Sequence, residues 1–101
     1  MTTTVDIRVK DLAIVHSILK AVLPSDAIVY VFGSRVLGTM KRSSDLDLAI
    51  DLSRPMQTAE VAALAEAFDE SNLPYRVDIV DLCNVSSTFK SIIDRDKVQL
   101  K

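Results

Sequence analysis

Two glycines, three prolines, one cysteine and no tryptophan in 101 residues leave little material for a loop-rich or disulfide-framed fold. A single cysteine, Cys83, cannot close an internal disulfide, which points to a reducing compartment. No apolar run approaches the roughly 20 residues of a membrane span. The stretch Met1-Thr2-Thr3-Thr4-Val5-Asp6 has no basic segment leading into an apolar one. Neither a membrane anchor nor an export signal is expected, and a cytoplasmic location is. A basic excess is missing as well: 12 basic residues stand against 14 acidic ones, for a net charge of -2, so no direct nucleic-acid binding by bulk charge is expected. Internal repeats, low-complexity tracts and Gly/Ser-rich linkers are also lacking, so residues 1–101 read as one domain. Such a domain buries about 60 to 70% of the surface its unfolded chain exposes, enough for one core but not for a separate substrate domain or lid.

Aspartate is what the chain has in excess. Eleven of its acids are Asp and three are Glu. Asp is poor in helix interiors and good in caps, turns and hard-cation sites, so the skew points to ligands or to many loop ends. The two glycines, Gly33 and Gly38, lie five positions apart and mark one place where the backbone needs unusual freedom.

The hydrophobic pattern divides the chain into elements. Leu12, Val15, Ile18, Leu19 and Val22 give an amphipathic helix from about residue 8 to 23, closed by Pro24. Ala27 to Phe32 is a β-branched and aromatic run of strand length that stops at Gly33-Ser34. A polar, basic loop follows. From Asp45 to Leu52 the alternation is strict, with Leu46, Leu48, Ile50 and Leu52 on one face and Asp45, Asp47, Ala49 and Asp51 on the other. Thr58 is the expected cap of a helix carrying Val61, Leu64, Ala65 and Phe68 as far as Asn72, and Arg76 to Leu82 is a third strand. Ser86 or Ser87 caps a last helix with Phe89, Ile92 and Ile93. The loop between the first two strands is short for a parallel crossover, so they are expected to pair antiparallel. The fold class is α/β (α+β): a small mixed sheet with helices packed on one face and the other face open for chemistry.

The most specific feature is Gly33-Ser34, ten residues, and then Asp45-Leu46-Asp47. Each half alone is weak: eleven aspartates should give about one Asp-x-Asp by chance, and Asp94-Arg95-Asp96 is a second. Placement strengthens the pair, because the glycine and serine close one strand while the acids open the next. Side chains two apart on a strand point the same way with Cα atoms roughly 6.6 Å apart, so Asp45 and Asp47 can aim carboxylates at one or two hard cations. A Gly-Ser turn offers backbone N–H groups and a hydroxyl to phosphate oxygens. A nucleoside triphosphate would bridge the two halves. The third strand offers a further carboxylate, Asp78 or Asp81, and their parities differ, so only one shares a face with Asp45 and Asp47. The apolar pattern does not choose between them.

Phe32-Gly33-Ser34-Arg35, Gly38, Ser44-Asp45-Leu46-Asp47-Leu48-Ala49 and Arg76-Val77-Asp78-Ile79-Val80-Asp81-Leu82 closely resemble the minimal nucleotidyltransferases of the DNA polymerase β superfamily. The resemblance runs from Ile28 to Leu82 and implies that superfamily's palm-like nucleotidyltransferase fold. It implies that Gly33, Ser34 and Arg35 bind the nucleotide, that Asp45, Asp47 and Asp78 bind magnesium, two ions with ATP as substrate, and that Asp78 rather than Asp81 is third ligand and general base. The chain lacks the extra domains with which larger relatives hold RNA, DNA or an antibiotic. Members of this size resemble antitoxins encoded beside a HEPN-domain RNase toxin. The implied activity is AMPylation: transfer of AMP from ATP to a tyrosine of that toxin, with release of pyrophosphate, within a hetero-oligomer of the two proteins.

Other readings compete. The chain could inhibit its partner by covering it without chemistry, or transfer a nucleotide to a small molecule, although it has no second domain to form that pocket. A phosphatase built on Asp-x-Asp would need a lysine on a later strand and leaves the Gly-Ser turn unexplained. Arg35, Lys41 and Arg42 are candidates for neutralising triphosphate or facing a partner, against plain solvation. Asp51 is expected as surface, Cys83 as a small buried apolar residue, His16 at a helix surface or boundary, and Tyr75 exposed near the site entrance.

Overall fold

The computed structural model describes residues 7–33 and 45–100. Gly38, Lys41, Arg42, Ser34 and Arg35 lie outside the described residues. The order is α1 (Val9–Val22), β1 (Ile28–Phe32), β2 (Leu46–Asp51), α2 (Thr58–Asp69), β3 (Val77–Asp81), a short 3-10 turn (Leu82–Asn84), α3 (Ser87–Asp96) and β4 (Val98–Gln99). The strands form one mixed sheet in the order β3-β2-β1-β4. β1 pairs antiparallel with β2, as the short connection requires, and β2 pairs parallel with β3 through the α2 crossover. The final strand was not readable in the sequence: two residues, Val98 and Gln99, pair with Val31 and Tyr30, and the Leu100 N–H donates to the Val29 carbonyl at 2.7 Å.

Alternation in β2 sets the layers. Leu46, Leu48 and Ile50 are fully buried, and with Val29 and Val31 of β1 they meet Val15 and Leu19 of α1 and Leu64 and Phe68 of α2. Each buried leucine or isoleucine is worth roughly 1.5 to 3 kcal/mol relative to exposure, so this face dominates stability. α3 does not join the other helices. Its fully buried Ile93 packs with Phe32, Ala49 and Leu82, and with the partly buried Tyr30 and Val80. Those strand residues have the parity of Asp47, so α3 lies on the face expected to be open and covers part of it. The physical reason lies in β1 and β2: Phe32, Tyr30 and Ala49 make the second face apolar away from the acids, and an apolar strip of that width needs a cover.

Helix ends show local chemistry. The Ser86 hydroxyl accepts from the Phe89 N–H at 3.1 Å and caps α3. α2 is capped by Gln57 rather than Thr58: Gln57 and Glu60 form a reciprocal capping box, which places Thr58 inside the first turn. Arg54 then clasps Glu60 through two bonds, 2.7 and 2.8 Å. At the start of α1, Asp11 is only 2% exposed. Arg8 Nε donates to it at 3.0 Å, and the Tyr75 hydroxyl donates at 3.3 Å. Tyr75 is therefore part-buried against the α1 layer and not at an entrance on the acid face.

The Arg54 and Gln57 N–H donors hold the Glu60 carboxyl at about 2, down from 4.5. A depressed carboxyl contributes stability that is complete above its unfolded value and lost as pH falls through the folded one. Thermal unfolding of wild type and Glu60→Gln should therefore show a Tm gap that is constant from about pH 5 to 7 and closes towards pH 2.

Candidate active site

The site grows from one register. Phe32 lies opposite Asp47 across β1 and β2, and Asp47 lies opposite Asp78 across β2 and β3. Paired residues in adjacent strands share a face and stand roughly 4.8 Å apart, so Asp47 and Asp78 present neighbouring carboxylates. Asp45, two residues before Asp47, shares that side by strand alternation and is half-buried, as Asp47 and Asp78 are. Asp81 belongs elsewhere. It pairs with the fully buried Ile50 on the α1 and α2 side, where its carboxylate accepts from the Met56 N–H at 2.8 Å and the Cys83 N–H at 3.0 Å. The parity question left open by the apolar pattern is thus answered by pairing: Asp78 joins the Asp45 and Asp47 face, and Asp81 ties β3 to the start of the crossover.

Gly33 closes β1 next to this row with φ +83°, in the left-handed region that side chains disfavour. A Cβ built there would overlap the Asp47 carboxylate. The glycine is thus needed twice, once for its dihedral and once because the acid occupies the space a side chain would take. Ser34 and Arg35, the other two nucleotide-binding candidates, fall outside the described residues.

Among the described residues, no three His, Cys, Asp or Glu side chains are gathered tightly enough to hold a metal ion. Like charges in one place repel, so three carboxylates are not expected to converge without a cation between them. The donor set nonetheless fits magnesium, which is bound through one or two carboxylates together with substrate phosphates rather than by an all-protein cage. Asp47 and Asp78 supply that pair, and Asp45 lies within one strand repeat.

Two side chains that the sequence did not connect with this face pack on its aromatic residues. Phe89 of α3 meets Phe32 edge to face, with ring centroids 6.0 Å apart and planes at 78°. Lys97 places its ammonium 4.3 Å from the centroid of the Tyr30 ring, and its bond to Asp94 raises its pKa above the ordinary lysine value. Both depend on where α3 crosses the sheet, which no local pattern encodes. Cys83 is exposed, contrary to the buried position expected, because Asp81 holds its N–H in the 3-10 turn at the surface. Asp51 is half-buried and accepts from the Ser53 N–H at 2.8 Å, organising the turn out of β2. His16 is exposed on α1. No helix among the described residues is long and apolar enough to cross a membrane.

A mixed sheet with this pairing, an acid pair at one strand start and a glycine turn beside it make an arrangement suited to nucleotidyl transfer. The profile of the family described as polymerase beta, nucleotidyltransferase matches residues 10–101, and the chain belongs to that family. Within it, the chain is 48% identical over 88 residues to the "Probable protein adenylyltransferase MntA" of Haemophilus influenzae, a match covering 87% of this chain and 76% of that protein. A crystal structure of a toxin-antitoxin with AMP-PNP shares the fold with a TM-score of 0.76 and 27% identity, covering 90% of this chain and 73% of that one. A tri-AMPylated Shewanella oneidensis HEPN toxin in complex with MNT antitoxin matches in fold, with a TM-score of 0.70 at 22% identity over 91% of this chain and 70% of that one.

Two expectations test the geometry. Gly33→Ala should cost about 1 to 2 kcal/mol for the left-handed dihedral plus a further amount from overlap with Asp47. In an Asp47→Ala background the further amount should disappear in urea unfolding, leaving only the dihedral cost. Asp78→Asn should reduce nucleotidyl transfer at least about 100-fold with little change in stability, whereas Asp81→Asn should lower the urea midpoint and leave transfer within a few fold.

Proposed function

We propose that this chain is a magnesium-dependent protein adenylyltransferase that moves AMP from ATP to a tyrosine hydroxyl of a HEPN-domain toxin encoded beside it, and so acts as the antitoxin of the pair. The carrying observation is the Asp47 and Asp78 register beside the Gly33 turn. The similarity to MntA, and to a toxin-antitoxin structure holding an ATP analogue, supports the choice of nucleotide and acceptor class.

The residues divide the roles among them, those of Ser34 and Arg35 resting on resemblance alone. Gly33 and Ser34 bind the triphosphate, the glycine admitting close approach of phosphate oxygens to the backbone. Arg35 adds positive charge for the nucleotide. Asp45, Asp47 and Asp78 hold magnesium, which supplies charge neutralisation for the triphosphate when bound. Asp78 takes the proton of the acceptor hydroxyl as its oxygen bonds to the α-phosphorus. The bond from that phosphorus to the bridging oxygen of the β-phosphate breaks, and pyrophosphate leaves. The chain orients the nucleotide, and the acceptor arrives on the partner.

Incubation with ATP, magnesium and the neighbouring HEPN protein should add one or more AMP masses to that protein, read by intact mass spectrometry. Asp45→Asn and Asp47→Asn should each reduce the increment at least about 100-fold. Inhibition of the toxin with no mass change, unaffected by these substitutions, would replace catalysis with non-covalent inhibition. Labelling of an added aminoglycoside instead would move the acceptor to a small molecule.

A further inference from the structure

We propose that Phe89 and Ile92, on α3, are the apolar centre of the surface on which the acceptor protein docks. The proposal rests on the reading that the acceptor hydroxyl is carried by a HEPN-domain protein. Among the described residues the exposed large hydrophobics are Val9, Val61, Phe89 and Ile92. Two of these lie on α3 three positions apart, on one side of the helix, 38% and 46% exposed. Val9 begins α1, and Val61 lies on α2, on the far side of the sheet.

Reaction geometry selects α3. The hydroxyl must come within about 3 Å of the Asp78 carboxylate, so the partner covers the surface around the acid row. A standard interface occupies about 800 Å² on each protein, a disc roughly 16 Å in radius. Phe89 falls inside it: its ring centroid is 6.0 Å from that of Phe32, and Phe32 is the direct strand neighbour of Asp47. The apolar pair is thus continuous with the acids through one side chain. Its border is polar, with exposed Thr88 and the surface pair of Arg95 and Asp96 at 3.1 Å. An aromatic anchor and an aliphatic neighbour inside a polar rim is the composition of a binding hot spot. The matching partner surface is an apolar depression beside the hydroxyl that accepts AMP.

Three measurements on Ile92→Asp, with Ile92→Ser as the milder variant, test this against the neighbouring HEPN protein. Calorimetric Kd should rise at least about tenfold for the aspartate and less for the serine. KM for the protein acceptor should rise by the same factor with kcat within threefold, and the Tm increase produced by ATP and magnesium should be unchanged. Kd and KM within twofold of wild type, with transfer intact, would overturn the docking surface and leave the proposed activity standing. Loss of binding in Ile92→Asp while wild type transfers no AMP would do the reverse. A wild-type self-dimer that Ile92→Asp dissolves, with acceptor Kd unchanged, would assign the patch to a second copy and overturn the proposal.

Discussion

One row of three side chains, Phe32, Asp47 and Asp78, governs the rest of the structure, because it exists only in one register of β1, β2 and β3. Strand alternation has a period of two, so a slip of one residue in β2 would turn Asp47 inward and a fully buried leucine outward. Leu46, Leu48 and Ile50 oppose that slip by roughly 1.5 to 3 kcal/mol each. The core and the site are therefore one device. The apolar half of β2 pins the alignment, and the acidic half is aimed by it. Gly33 completes the arrangement by leaving empty the volume that the Asp47 carboxylate occupies.

Much of this was legible in the residues. The helical stripe of α1, the alternation of β2 and the antiparallel pairing of β1 with β2 follow from periodicity and loop length, which are local properties. The Gly33, Asp45 and Asp47 constellation stood out by spacing. The choice between Asp78 and Asp81 did not follow from pattern, because β3 is half-buried throughout and carries apolar residues at both parities. The family resemblance pointed to Asp78, and the alignment of Asp47 with Asp78, a non-local fact, puts those two acids on one face. The crossing of α3, the exposure of Cys83, the Gln57 cap and the inward role of Tyr75 were hidden for related reasons. Each depends on a partner distant in sequence or on competition between neighbouring caps. Ser34, Arg35, Lys41 and Arg42 lie outside the described residues, and their candidate roles rest on spacing and resemblance alone.

The two faces of the sheet divide the work unevenly. One is sealed by α1 and α2, with Asp11, Arg8 and Tyr75 joining α1 to the segment that leads into β3. The other is sealed only in part, by a helix whose single fully buried residue is Ile93. That face keeps the acids within reach of a second molecule while Phe32, Ala49 and Tyr30 remain covered.

β3 is an outer strand of the sheet, and its pairing with β2 leaves its other edge without a partner among the described strands. Unpaired edges invite the addition of a foreign strand, and charge on the edge is a common defence. Asp78 and Asp81 put a carboxylate on each face of this five-residue strand. The acid that shares a face with Asp47 thus also lies on an edge where charge opposes edge-to-edge pairing, so one side chain can meet two separate constraints.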